Sequence, residues 1–99
     1  MLVKRIKAHM WAYAQGKIRE VTIPVADADD VPSLEDVFYF GQNDFAVGPE
    51  KNSTPSLSVG DVVELDGRFH RVESCGFKEM SSEEYEAYTR LPDRERRLF

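Results

Sequence analysis

Between Leu2 and Ala14 the even positions are apolar at Leu2, Ile6, Ala8, Met10, Ala12 and Ala14, with Lys4 the one breach. The odd positions run Val3, Arg5, Lys7, His9, Trp11 and Tyr13, basic and then aromatic. Period-two alternation of this kind predicts a half-buried strand. The helix formers Ala8, Met10, Ala12 and Ala14 keep a helix over residues 2–15 as the competitor. The next segment decides for the strand. Gln15-Gly16-Lys17 reads as a turn, and in Ile18 to Val25 the residues Val21, Ile23 and Val25 share one face. Their β-branched side chains suit a pleated surface. Pro24 lacks a ladder donor, so this strand ends there or lies at an edge.

An acidic loop, Ala26 to Val31, leads to Ser33, which has the character of an N-cap with Asp36 three residues on. Leu34, Val37 and Phe38 fall at helical spacing, and Glu35 and Asp36 sit in the first turn, where the helix dipole favours them. Gly41 stops this short helix, and Phe45 to Pro55 has loop composition. Asp61 to Leu65, Asp66-Gly67 and the residues from Arg68 then read as a hairpin. A two-residue turn sets Leu65 against Arg68, Val63 against His70 and Asp61 against Val72. That register gives Val63, Leu65 and Val72 to the core, and Glu64, Phe69, Arg71 and Glu73 to the other face. Gly76 marks a bulge or a close backbone approach before Phe77. Ser81 caps a last helix with Glu84 at the capping-box position. Tyr85, Tyr88 and Leu91 form its stripe, and Pro92 ends it.

The order β-β-α-β-β-α predicts an α+β fold: a small curved antiparallel sheet built from two hairpins, with two short helices against it. A closed small barrel is the alternative. At 99 residues, 41% hydrophobic and 31% charged, the chain reads as one domain, 1–99, with residues 93–99 as a tail. No apolar run nears the ~20 residues of a membrane helix, and charges interrupt the N-terminus where a signal peptide is apolar. The single Cys75 cannot form an internal disulfide, so a reducing cytoplasm is the expected setting, and no membrane partner is expected.

The net charge of −5 is unevenly spread. Residues 1–19 hold Lys4, Arg5, Lys7, Lys17 and Arg19 and no acid. Residues 21–50 hold Asp27, Asp29, Asp30, Glu35, Asp36, Asp44 and Glu50 and no base. Segregation of this kind can steer a charged partner.

The run Ser56-Leu57-Ser58-Val59-Gly60-Asp61-Val62-Val63, together with Gly76-Phe77-Lys78-Glu79, resembles the YodL-like domain. The likeness spans roughly Ile18 to Met80. That domain, of largely unassigned activity, occurs in phage- and plasmid-borne proteins, some of them beside antirestriction-type modules. The resemblance implies a mobile-element protein and supplies no catalytic residues.

The residues themselves offer no nucleophile–base pair, phosphate loop or metal set, so the expectation is a protein that is not an enzyme and takes no cofactor and no metal. His70 is expected to be a satisfied histidine on the apolar face, and Cys75 a buried, inert thiol. Asp27, Asp29 and Asp30 lack the glycine and distal glutamate of a calcium loop. Two surfaces remain. Asp27, Asp29, Asp30, Glu35, Asp36 and Asp44 surround a helix whose Tyr39 cannot share the buried side with Phe38 and Phe40. They are the expected contact for a host or phage protein with a basic surface, in the manner of an antirestriction or anti-CRISPR inhibitor. Arg5, Lys7, Trp11 and Tyr13 are the alternative, a nucleic-acid-binding strand. Leu98-Phe99 is expected to dock on an apolar patch, with the tail arginines reaching toward the acidic segment.

Overall fold

The computed structural model describes residues 2–47 and 55–98. One antiparallel sheet organises them. Its strands are β1 (Val3–Met10), β2 (Lys17–Pro24), β3 (Val62–Leu65), β4 (Arg68–Glu73) and β5 (Gly76–Met80), in the order β2-β1-β3-β4-β5. Helix α1 (Leu34–Phe40) lies between β2 and β3, and α2 (Ser82–Thr89) and α3 (Asp93–Leu98) follow β5. The expected α+β architecture and the order β-β-α-β-β-α hold, with a fifth strand and a third helix added.

The first hairpin pairs Val3 with Pro24 through Met10 with Lys17. This places β2 at an edge, where the missing donor of Pro24 removes no ladder bond. β1 stops at Met10 and does not run to Ala14 as the alternation predicts. The chain turns over residues 11–16, closed by Gly16 N–H to the Met10 carbonyl (2.8 Å) and Lys17 N–H to the Ala14 carbonyl (3.1 Å). The Asp66-Gly67 hairpin forms in the expected register, Leu65 opposite Arg68 and Val63 opposite His70. Gly76 makes neither a bulge nor a close approach, for nothing lies within 4 Å of where its Cβ would be. It takes φ +104 to close a tight turn with Ser74 and Cys75, and that turn creates β5. Cys75 is accordingly exposed, where a buried thiol was expected.

Both faces of the sheet are covered. On one, Ala8, Met10, Val21, Ile23, Val63 and Val72 pack with Val37 of α1 and with Leu57. On the other, Val62 and Met80 pack with Tyr88 of α2, and Trp11, Phe69, Tyr85 and Leu91 join them. The adjacent Val62 and Val63 are both fully buried because β3 lies under a helix on each side. Capping boxes start both longer helices, Ser33 with Asp36 and Ser81 with Glu84.

Asp61 joins the two hairpins. Its Oδ1 accepts the Ala12 N–H (2.8 Å) and its Oδ2 the Ser58 N–H (2.9 Å), with the residue fully buried. Burial pushes its carboxyl above the usual range, against the pull of those backbone donors. A raised folded-state pKa gives stability that is present below the unfolded pKa and lost as pH rises through the folded one. Asp61→Ala orphans two buried donors and should lower stability by about 2 kcal/mol, roughly 10 °C of melting temperature in a domain of this size. Calorimetry of both proteins between about pH 3 and pH 7 checks the sign: the deficit should be widest at the acid end and shrink as pH rises.

Candidate functional site

Helix α1 buries Val37 and half-buries Leu34, Phe38 and Phe40, which leaves Glu35, Asp36 and Tyr39 outward. The chain after it folds back in a tight turn. Gln42 N–H donates to the Tyr39 carbonyl (3.2 Å) and Phe45 N–H to the Gln42 carbonyl (3.0 Å). The Gln42 amide also donates to the carbonyls of Phe38 (3.2 Å) and Leu57 (3.0 Å), and Asn43 N–H to Ser56 Oγ (2.9 Å). So fixed, the turn lays Phe45 flat on Tyr39, ring centroids 4.5 Å apart and planes 15° from parallel. Phe40 meets the other ring edge-on at 5.0 Å. Tyr39 stays 48% exposed and Phe45 49%. Two rigid aromatic rings thus stand half in water, with the exposed Glu35 and Asp36 on the same helix and Asp44 beside Phe45.

The acids that precede α1 have a local task as well. Asp30 Oδ2 accepts the N–H groups of Ala26 and Asp27 (both 3.0 Å), and Asp27 Oδ1 accepts that of Asp29 (3.2 Å). These bonds shape an exposed, self-supporting loop. Among the described residues no group of three His, Cys, Asp or Glu side chains is placed to hold a metal ion. Sequence reasoning named Asp27, Asp29, Asp30, Glu35, Asp36, Tyr39 and Asp44 and missed Phe45. A phenylalanine inside a segment of loop composition was the available signal.

The alternative surface is divided by the fold. Arg5 and Lys7 are exposed on β1, but the register sets Lys7 directly opposite Glu20 on β2 and Glu64 on β3. Opposite charges at that cross-strand spacing attract one another. Tyr13 is 72% exposed. Trp11 is half-buried and held by the fold. Its Nε1 donates to the Tyr85 hydroxyl (3.1 Å), its ring meets Tyr88 edge-on at 6.5 Å, and the Arg96 guanidinium lies 4.6 Å over it. Gly16 is close enough that a Cβ there would stand 2.7 Å from Trp11 Cη2. These contacts engage the indole N–H and one ring face within the fold.

Arg96 also corrects the reading of the tail. Its side chain turns back, donating to the carbonyls of Thr89 and Leu91 and pairing with Asp93, and does not reach the acidic segment. The side chains of Leu98 and Phe99 lie outside the described residues. A cavity of about 310 Å3 opens beside this corner, lined in part by Trp11, Tyr13, Val59, Tyr88 and Arg96. Two of its polar groups are engaged with the fold, the Tyr88 hydroxyl donating to the Gly60 carbonyl (2.6 Å) and Arg96 bonded as above.

The two histidines differ. His70 is half-buried opposite Val63. His9 lies under α2, its Nε2 2.9 Å from Glu64 Oε1, with the rings of Tyr85 and Phe69 at 5.1 and 6.0 Å. Aromatic rings from α2 and β4 thus stand beside that pair. Comparison with protein-family models gave no match to this chain, and comparison with curated proteins and with solved structures gave none either.

Trp11 is the single tryptophan, so its fluorescence reports on this corner alone. Arg96→Ala removes the cation over the ring and should cost about 1 kcal/mol. Emission should shift to the red with a modest fall in melting temperature, both read from one thermal fluorescence scan.

Proposed function

We propose that this chain is a small non-catalytic binding protein that acts by stoichiometric contact with another protein, through the outer side of α1 and the turn that follows it. The observation that carries the reading is the parallel stack of Tyr39 on Phe45, half-exposed and held by the Gln42 and Asn43 hydrogen bonds. Aromatic anchors of this kind supply most of the energy of protein interfaces, and rigid ones lose little entropy on binding. Glu35 and Asp36 on α1 and Asp44 next to Phe45, with Asp27, Asp29 and Asp30 in the exposed loop before the helix, select the partner's charge. With no base between residues 21 and 50, this acidic segment favours a basic surface over nucleic acid.

A protein that ordinarily holds nucleic acid presents such a basic surface. The most concrete form of the reading is an inhibitor, carried by a phage or other mobile element, of a host system that targets nucleic acid. The resemblance of residues 18–80 to the YodL-like domain supports that context, and an intracellular site of action goes with it. Catalysis has no part in the proposal.

Affinity capture from bacterial lysate at low salt, quantified by mass spectrometry, tests it. A specific partner should be retained at a fixed ratio and released by salt. Asp29→Lys with Glu35→Lys, and separately Tyr39→Ala with Phe45→Ala, should each cut retention by about tenfold or more, the loss expected when interface anchors are removed. Asp36 is left intact because it caps the helix. Retention unchanged in both double variants, with circular dichroism unaltered, would exclude this surface.

A further inference from the structure

We infer that the stack of Tyr39 on Phe45 is a seat for an arginine side chain of the partner, whose guanidinium lies on the open face of Phe45 and is held by the carboxylates of Glu35 and Asp44. This rests on the protein-binding reading above and adds the side chain that the surface selects. Phe45 has Tyr39 as its one ring neighbour among the described residues, so the face turned away from Tyr39 is open, and the residue is 49% exposed. Glu35 stands four residues before Tyr39 on α1, and so on the same side of the helix. Asp44 precedes Phe45 in the turn, and both acids are exposed.

The protein builds this arrangement twice within its own fold. The Arg96 guanidinium lies 4.6 Å over the Trp11 ring and pairs with Asp93. The Arg71 guanidinium lies 5.9 Å from the centre of the Tyr88 ring and pairs with Glu73. Each joins a ring, a guanidinium and a carboxylate, and in each the chain supplies all three. At Tyr39 and Phe45 it supplies the rings and the acids. Among the described residues no cation lies over either ring, and neither Glu35 nor Asp44 has an ion pair. Residues 21–50 contain no base to fill the place.

An acidic patch alone takes any cation, but a ring discriminates between them. The guanidinium is planar and lies flat on an aromatic face, and it is more weakly hydrated than an ammonium, so it leaves water at lower cost. Its five N–H donors spread outward in the plane, which lets one group stack on Phe45 and still reach a carboxylate at its rim. A lysine ammonium is a compact, strongly hydrated point charge and gains less from the ring. The seat is also set in advance. The Gln42 amide on the Leu57 carbonyl and the Asn43 N–H on Ser56 Oγ fix the turn that carries Phe45, so little side-chain freedom is lost when the guanidinium arrives.

The test titrates isotope-labelled protein at low salt with two capped pentapeptides of equal charge, one alternating glycine with arginine and the other glycine with lysine, following the ring resonances of Tyr39 and Phe45. The arginine peptide should shift both rings saturably and bind about threefold or more tightly than the lysine peptide, the margin of an exposed cation–π contact. Phe45→Leu keeps apolar bulk without the ring and should bring the two affinities together, with circular dichroism unaltered. Glu35→Gln with Asp44→Asn should weaken both peptides, because the carboxylates that hold the charge are gone. Absence of a saturable shift with the arginine peptide overturns the inference. Equal affinities for the two peptides, an arginine preference that survives Phe45→Leu, or undiminished binding by the Glu35→Gln, Asp44→Asn protein each overturns it too. A lysate partner held through α1 alongside equal peptide affinities defeats this inference alone, whereas partner retention unchanged in both α1-surface double variants defeats the reading beneath it.

Discussion

A buried guanidinium holds the α1 side of this molecule together. Arg19 is 1% exposed, on the same face of β2 as Val21 and Ile23, and its Nη1 donates to the carbonyls of Gly41 (2.9 Å) and Pro55 (3.1 Å). A cation taken out of water costs several kcal/mol unless hydrogen bonds replace its hydration. Here the replacements are the C-cap carbonyl of α1 and the point where the chain returns to the sheet. Helix α1 has no base in its own last turn, so Arg19 supplies from a neighbouring strand the positive charge that the carbonyl end of a helix favours. Leu57 N–H meets the same Gly41 carbonyl at 3.1 Å. One side chain thereby fixes the helix, the turn that carries Phe45, and the chain leading into β3.

The α2 side is held by different chemistry. Asp61 takes backbone donors from two separate loops, and Trp11 joins the first hairpin to the last two helices through Tyr85, Tyr88 and Arg96. Phe69 and Tyr85 stack at 4.3 Å between these anchors and Met80. Each face of the sheet thus has its own helix, and the stacked pair, Tyr39 on α1 and Phe45 in the turn after it, stands on the face opposite α2.

Much of this architecture was legible in the chain. Alternation gave β1 and β2, Ser33 and Ser81 gave the helix starts, and Asp66-Gly67 gave a hairpin register that holds from Leu65–Arg68 to Val62–Arg71. Tyr39 had to face outward once Phe38 and Phe40 were turned toward the core. What escaped was of two kinds, elements with little apolar pattern of their own and contacts with partners distant in sequence. β5 has only Phe77 and Met80 as apolar residues and exists because Gly76 turns it back against β4. α3 has no apolar period, and Arg96 secures it by bonding to carbonyls at the end of α2. Arg19 shares the parity of Val21 and Ile23, so its place on the core face could be read. Its role could not, because the carbonyls it meets lie 22 and 36 residues away. Phe45 was hidden for the same reason, since the turn that lifts it onto Tyr39 is fixed by Gln42 and Asn43 reaching Leu57 and Ser56.

The central claim is that Arg19, acting through the Gly41 carbonyl, fixes the stacked aromatic surface in place. Proton cross-relaxation between the Tyr39 and Phe45 rings, compared between the protein and Arg19→Met, tests it most directly. Methionine keeps the apolar stem in the core and removes both hydrogen bonds, and buried charges are often replaced by apolar side chains without loss of the fold. The native protein should show strong ring-to-ring cross-peaks, and Arg19→Met should lose them while the amide pattern of β1, β3 and β4 persists. Full retention of those cross-peaks in Arg19→Met would contradict the account.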